Sequence, residues 1–485
     1  MSSVKGTFLM NKTFRWLGAV AAVAVLGFAV YGSTKEFSKP SADTQTSSWL
    51  NRSGSLSVWY TDERLTPYIT KAAVEFGEQE NITVIPVLKP DENFLDECYS
   101  ASVANESYPD VIIYGSENLE KAYLSGVACE INDEEMQIGP LNFSEAAVNA
   151  VTYDDMKLGY PLSFDTSVMV YNRTYLEQWA IQMAMADLTG HPIDMEGGDA
   201  EDEESASESE EVSVEDVDQA ELEELTKFYI ARMVPYTLED LMTISNSYSV
   251  PDGVEGIMSW DVSSIMYNYW IVGSTMNVGG ELGDDQNSVS VNNEESVTCL
   301  TKYQSLHDYF SIESSEITYD SVIQSFIDGK TVFTIGGYDL VQRLQEATED
   351  GSFAYEYGFS EMPNITSEIP SASLSITTLA SVNGFSSQKD LAQKFALFMT
   401  RDEAPYFTEL TGLASCSRQF GMDGGADQIY ALEYAGSVSL PKMMETENFW
   451  MQIETMFARI WEGEDVEAEL TTLEENLNYI LTRTL

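Results

Sequence analysis

Apolar and polar positions switch between two periods along this chain, and the switches outline its elements. Residues 56–60 (LSVWY) form a short β-type run. Over residues 65–80, Leu65, Tyr68, Ile69, Ala72, Ala73 and Phe76 recur at helical spacing. A second strand is predicted over 82–87, a second helix over 94–103 and a third, fully apolar strand over 110–114. Strand–helix–strand–helix–strand with buried runs predicts a parallel, doubly wound α/β sheet. Ligands of such sheets sit beyond the carboxyl ends of the strands. That rule places Trp59-Tyr60 and the turn from Tyr114 to Glu117 at a binding edge rather than in the core.

Further along, residues 157–171 read as a strand pair around Pro161. From Glu201 to Thr226 acidic residues fill about half of the positions, with Ser and Ala between them, so the stretch repels itself and reads as a disordered insertion. Thr237 and Asp240 have the spacing of a capping box at a helix start. A helix over 322–329 ends in Gly329, a buried strand follows over 331–335, and helices over 391–399 and 448–461 make the C-terminal third mostly helical.

Composition narrows the function classes. At 485 residues the length fits two to three domains, and 44% hydrophobic residues suffice for sizeable cores. The net charge of −56 opposes binding to nucleic acid or anionic lipid, and no basic patch offsets it. Two histidines, His191 and His307, argue against a histidine-based metal or acid/base centre. Cys98, Cys129, Cys299 and Cys416 show no metal-ligand spacing; they read as four buried or half-buried thiols, with a Cys98–Cys129 disulfide as the alternative. Lys12 and Arg15 precede an apolar run from Trp16 to Tyr31, the layout of an export signal that is either cleaved near Gly32 or kept as an N-terminal anchor. Residues 33–54 then read as a Ser/Thr-rich tether, and the remainder lies outside the cytoplasmic membrane.

Four ordered stretches resemble the family 1 extracellular solute-binding proteins, the maltose/maltodextrin-binding class. They are YPDVIIYG from Tyr108 with LSGV from Leu124; KLGYPLSFDTSVMVYNR from Lys157; FIDGKTVFTIGGY from Phe326; and AQKFALFMT from Ala392 with Gly412 and the NFW triplet at Asn448. The second is the most specific and is similar to the family's crossover between lobes. The resemblance covers residues 55–485 with one insertion. It implies a two-lobed, periplasmic-binding-protein-like α/β fold, each lobe a doubly wound sheet flanked by helices, joined by a hinge that closes on ligand. On that pattern residues 1–32 are the signal or anchor and 33–54 the tether. Residues 55–163 and 366–412 form lobe I; 164–365 and 413–485 form lobe II, which carries the disordered acidic insertion at about 193–226.

The same resemblance implies an importer receptor without cofactor, metal or catalytic residues, a carbohydrate as its ligand, and a monomer that hands its cargo to ABC permease subunits driven by a cytoplasmic ATPase. Sugars offer apolar C–H faces rimmed by hydroxyls, so their sites need aromatic platforms and hydrogen-bonding side chains. Carried over by motif, the aromatics are Trp59 or Tyr60, Tyr114, Tyr338 and Trp450, with Tyr267 added from a second-lobe aromatic cluster. The polar partners are Glu63, Arg64, Glu117, Asn118 and Asp165, the last at the cleft floor. Two departures stand out. No cysteine follows the apolar run, so the lipid anchor of many relatives is replaced by the segment itself or by secretion. Tyr338 stands where the family has a stacking Trp, and Gly337 where it has Pro. The rival readings are capture of a polyamine, metal or peptide, a non-transport sensor on the same fold, and a glycoside hydrolase built on paired carboxylates.

Overall fold

Strand β1 (Ser55–Tyr60) pairs in parallel with β2 (Thr83–Leu88) and with β3 (Val111–Gly115). The computed structural model describes residues 54–482 except 105–106, 191–216, 249, 252, 311, 315–316 and 447. Helix Thr66–Gln79 links β1 to β2; Pro67 suits its first turn, and Tyr68, Ile69, Ala72, Ala73 and Phe76 form its buried stripe. Helix Phe94–Ala104 links β2 to β3. The predicted order of elements is therefore the observed one over this region.

The hairpin β4 (Thr152–Tyr153) and β5 (Met156–Lys157) turns through Asp154 and Asp155, both at positive φ. Next come β6 (Tyr160–Thr166) and β7 (Val168–Asn172), with only Ser167 between them. The chain changes sheet at Ser167, which corrects the strand pair expected around Pro161. Pro161 lies inside β6, where its missing N–H coincides with a slip in register against the neighbouring strand.

The remaining strands are β8 (Gly256–Met258), β9 (Asn277–Gly279), β10 (Asp285–Ser290), β11 (Thr331–Gly336), β12 (Tyr357–Ser360), β13 (Leu374–Val382), β14 (Ala414–Ser415) and β15 (Val438–Ser439). Among the described residues one sheet runs β14-β6-β13-β3-β1-β2 with β15 on β13, and another runs β12-β7-β11-β8. Both sheets are mixed rather than wholly parallel, because β13 is antiparallel to β3 and β6, and β7 is antiparallel to β11 and β12. Where the chain crosses between the sheets, Thr166 Oγ1 donates to Leu374 O at 2.9 Å and Ser373 Oγ to Ser167 O at 3.2 Å. These bonds pin the two crossing segments side by side.

The first sheet covers a core of Leu56, Val58, Ile69, Ile112, Leu379 and Phe395 with their neighbours. The second lobe holds a core built on Trp260, Tyr303, Phe457 and Trp461. All four cysteines are free thiols, so the alternative Cys98–Cys129 disulfide is not present.

Part of the acidic stretch is ordered. Helix Gln219–Met233 starts at Asp218, whose carboxylate accepts from Ala220 N and Glu221 N, and it buries Leu222, Thr226 and Met233. Residues 219–226 thus leave the expected disordered insertion. Acidic residues favour the positive end of a helix dipole, and Leu222 and Thr226 share one face at i, i+4. Residues 193–216 of the insertion, the N-terminal apolar run and tether residues 33–53 lie outside the described residues. Among the described residues no helix is long and apolar enough to cross a membrane.

The capping box takes the form its spacing implied: Asp240 N donates to Thr237 Oγ1, and Thr237 N donates to the Asp240 carboxylate at 2.8 Å. Replacing Thr237 by Ala is expected to cost about 1 kcal/mol of stability, measured by the shift of the urea unfolding midpoint.

Candidate functional site

Just past the end of β1, Asp62 opens a single turn of tight helix, Glu63–Leu65. Its carboxylate accepts from Arg64 N at 2.9 Å and holds the guanidinium in two directions, Nε at 3.0 Å and Nη2 at 2.7 Å. The Asp62 bonds hold Arg64 above its ordinary pKa, with Asp165 and Asp339 adding to the effect against the opposing cost of desolvation. A first-lobe cation therefore faces two carboxylates of the second lobe and the crossover.

Asp165 sits near the end of β6, cross-strand from Ile376 of β13. One oxygen, Oδ1, accepts from Tyr338 N at 3.4 Å. Gly337 permits this close approach: a Cβ there would meet Asp339 Oδ1 at 3.1 Å and Asp165 Oδ1 at 3.3 Å. Water reaches the Asp165 carboxylate, but the surrounding protein desolvates it and, with Asp339 nearby, pushes its pKa up to about 6 against the pull of Arg64.

Opposite Asp165, Tyr267 and Tyr319 stack face to face, with centroids 4.7 Å apart and planes 4° from parallel. Tyr319 Oη donates to Asp339 Oδ1 at 2.8 Å and accepts from Gly337 N at 3.2 Å. Hydrogen bonds at its rim thus fix this pair, and its members are only half buried.

The other wall begins past β3, in the turn Ser116–Asn118. Asn118 Nδ2 donates to Glu117 Oε1 at 2.7 Å, while Glu117 Oε2 is buried with no partner. Burial pushes the Glu117 carboxyl above its ordinary pKa. Glu117, Asn118 and Ile376 line a cavity of about 420 Å³ with Met443, Met444 and Trp450 of the second lobe. Trp450 Nε1 donates to Glu454 Oε1 at 2.7 Å, and the same oxygen accepts from Ile265 N, on the turn that carries Tyr267. Because Ile376 lies beside Asp165, the cavity and the tyrosine–carboxylate cluster share one floor.

Of the sequence-derived residues, Glu117, Asn118 and Trp450 line the cavity, Arg64 and Tyr267 lie within electrostatic reach of Asp165, and Glu63 is exposed on the turn that carries Arg64. Four aromatics do not reach its surface. Trp59 and Tyr60 are buried at the end of β1, the latter donating to Thr66 Oγ1. Tyr114 is buried against Ser381 Oγ at 3.0 Å. Tyr338 is 6% exposed; its hydroxyl donates to Asp427 Oδ1, and its ring packs edge-on against Tyr430 and Phe420. The cleft is met two to four residues past the strand ends, at Asp62, Arg64 and Glu117. Tyr338 contributes its backbone N–H instead of its ring.

Sequence reasoning missed Asp62, Tyr319, Asp339 and Glu454. Asp62 had a signal, a capping carboxylate two residues before Arg64. Asp339 had a weaker one, its place after the glycine pair. Tyr319 is 52 positions from Tyr267 and had none.

Asp165 carries a pH prediction. Its folded pKa lies above the unfolded value, so between pH 3.8 and about 6 the folded chain binds the extra proton, and this group's contribution falls as pH rises. Asp165→Asn is expected to raise the melting temperature of the ligand-free protein at pH 7 and to leave it unchanged below pH 4. Solvent access limits the gain to about 1 kcal/mol or less; differential scanning calorimetry across pH reads it.

Two α/β lobes, joined by paired crossing strands and facing each other over an aromatic and carboxylate-lined cleft, define a two-lobed ligand receptor. The chain belongs to the bacterial extracellular solute-binding proteins, whose family profile matches residues 71–418. That family places it outside the cytoplasm. No curated protein matches the chain significantly. Among solved structures, an extracellular solute-binding protein from Staphylococcus aureus in complex with maltose aligns with TM-score 0.67 at 16% identity, over 89% of this chain and 98% of its own. A cyclo/maltodextrin-binding protein complexed with maltotetraose aligns with TM-score 0.66 at 16% identity, over 89% and 97%. A maltose-binding periplasmic protein from Listeria monocytogenes in complex with maltose gives 0.65 at 16%, over 89% and 99%. These likenesses establish the shared fold.

Proposed function

We propose that this protein is the extracytoplasmic receptor of an ABC importer and that its cleft captures a carbohydrate, an oligosaccharide in particular. The observation that carries the reading is the meeting of aromatic faces with hydrogen-bonding groups in one cleft: the Tyr267–Tyr319 stack and Trp450 beside Asp165, Glu117, Asn118 and Arg64. Aromatic faces match the C–H face of a pyranose, while carboxylate and amide groups match pairs of hydroxyls. The unpartnered Glu117 oxygen suits a hydroxyl donor brought by the ligand. The fold neighbours solved with maltose and maltotetraose support the same class.

In this reading the sugar is bound, not cleaved, and closure of the lobes about the Ser167 and Ser373 crossings delivers it to permease subunits with a cytoplasmic ATPase. The apolar segment from Trp16 to Tyr31 exports the chain and either anchors it or is removed. A second reading has one observation in its favour. Asp62, Asp165, Asp339 and Glu117 outnumber the cations of the cleft, an excess that suits a polyamine. Thermal shift and tryptophan fluorescence with maltose, maltotetraose, spermidine, peptides and zinc separate the two. Saturable stabilisation by a sugar is expected; response to spermidine alone overturns the carbohydrate reading.

A further inference from the structure

The segment 440–446 lies between two cavities. Leu440, Pro441, Met443 and Met444 line the cleft cavity, while Pro441 and Lys442 line a larger one of about 660 Å³ behind it, bounded by Asn149 of the first lobe and the 273–283 region of the second. Met443 anchors the segment in the second-lobe core, which Phe449 of the following helix also joins. Lys442 points the other way. It is 1% exposed, and its Nζ donates to Asn149 O and to Thr152 O at 2.6 Å, at the first-lobe turn between helix Glu145–Ala150 and β4. Next to it, Met444 N donates to Glu120 Oε2 at 2.6 Å, and Tyr153 Oη donates to the other oxygen of Glu120 at 2.7 Å.

We propose that Lys442 is a positioning residue for the ligand cleft, an interlobe clasp that sets the wall formed by residues 440–446 against the first lobe. The cleft role in this statement rests on the function proposed above; the clasp does not. Three features support it. A side chain this deeply buried, bonded to backbone carbonyls and to no carboxylate, carries a desolvation cost that only a structural return offsets. The neighbouring acid, Asp284, is engaged elsewhere, accepting from Asp154 N at 2.7 Å. The segment also has few alternatives for its place: Lys442 N donates to Gly283 O at 2.8 Å, and Pro441 Cα would lie 3.3 Å from a Cβ on Gly283, which holds φ +72°. Burial draws the Lys442 amine down to about 7 against the pull of Asp284. The amine donates to both carbonyls whether or not it carries the extra proton. The clasp therefore depends on the donor and its reach more than on net charge.

Lys442→Met keeps the length and removes the donor; Lys442→Arg restores one. Hydrogen exchange of the ligand-free chain is read over 440–446 and 149–153, and maltotetraose affinity is read by calorimetry. K442M is expected to speed exchange in both segments by about tenfold or more, as local opening no longer breaks the clasp. It is also expected to weaken maltotetraose binding by about tenfold, with K442R recovering most of each. Wild-type exchange rates in K442M overturn the clasp. Faster exchange with unchanged affinity overturns the positioning role. Should the wild type bind no maltotetraose, the carbohydrate reading fails while the exchange arm still decides the clasp. If K442M does not fold, Glu120→Gln, which weakens the adjacent bond to Met444 N, is expected to speed exchange over 440–446 by itself, and wild-type exchange there overturns the clasp.

Discussion

Trp450→Ala is expected to weaken oligosaccharide binding by about 2–3 kcal/mol, or roughly 30- to 150-fold in Kd. The indole is partly buried at the cleft cavity, and its Nε1 bond to Glu454 fixes its plane before any ligand arrives. A platform fixed in advance avoids the entropy cost of ordering a free side chain, which is why aromatics dominate binding energy. Truncation removes the apolar face and also frees Glu454, which then has only Ile265 N as a donor in this network. Tyr338→Phe serves as the contrast. Its ring is buried and its hydroxyl meets Asp427, so affinity is expected to stay within about twofold, since the site keeps all its surface contacts. Calorimetric titration with maltotetraose measures both. Equal losses in the two variants would place the sugar elsewhere.

Trp461→Ala is expected to cost about 3–5 kcal/mol of folding stability. Trp461 is 1% exposed and lies edge-on to Trp260 at 5.5 Å and near Tyr303 at 5.1 Å and His307 at 5.3 Å. Its Nε1 also donates to Ile312 O at 3.0 Å, so the substitution opens a cavity and leaves a buried carbonyl without its donor. The first-lobe core around Leu56 and Ile112 shares none of these contacts. Urea unfolding followed by circular dichroism reads the loss. The helix from Phe449 carries both tryptophans, so a second-lobe melt would also loosen Trp450.

Local patterns made most of the framework legible. The 3.6-residue stripe of helix Thr66–Gln79, the apolar run of β3 and the capping box at Thr237 are each fixed by neighbours in sequence, and each stands where the pattern put it. The crossover was legible as a motif, and with it the place of Asp165 near the end of β6. Its switch point was not: a proline inside a strand and a proline between strands look alike until register is known, and Ser167 carries no turn signal. Acidic composition hid the helix from Gln219, because charge on the exposed faces masks a narrow stripe formed by Leu222, Thr226 and Met233. At the site, residue type predicted which side chains could bind sugar but not which way they point. Trp59, Tyr114 and Tyr338 satisfy the chemistry and are buried, whereas Tyr319 and Asp339 gain their roles only when the second-lobe chain brings them to Tyr267 and Gly337.

The central claim is that ligand is captured between two lobes that close upon it. Small-angle scattering of the purified chain, with and without saturating maltotetraose, tests this most directly. A smaller radius of gyration in the saturated sample is the expected result; an unchanged profile at demonstrated saturation would contradict capture by closure.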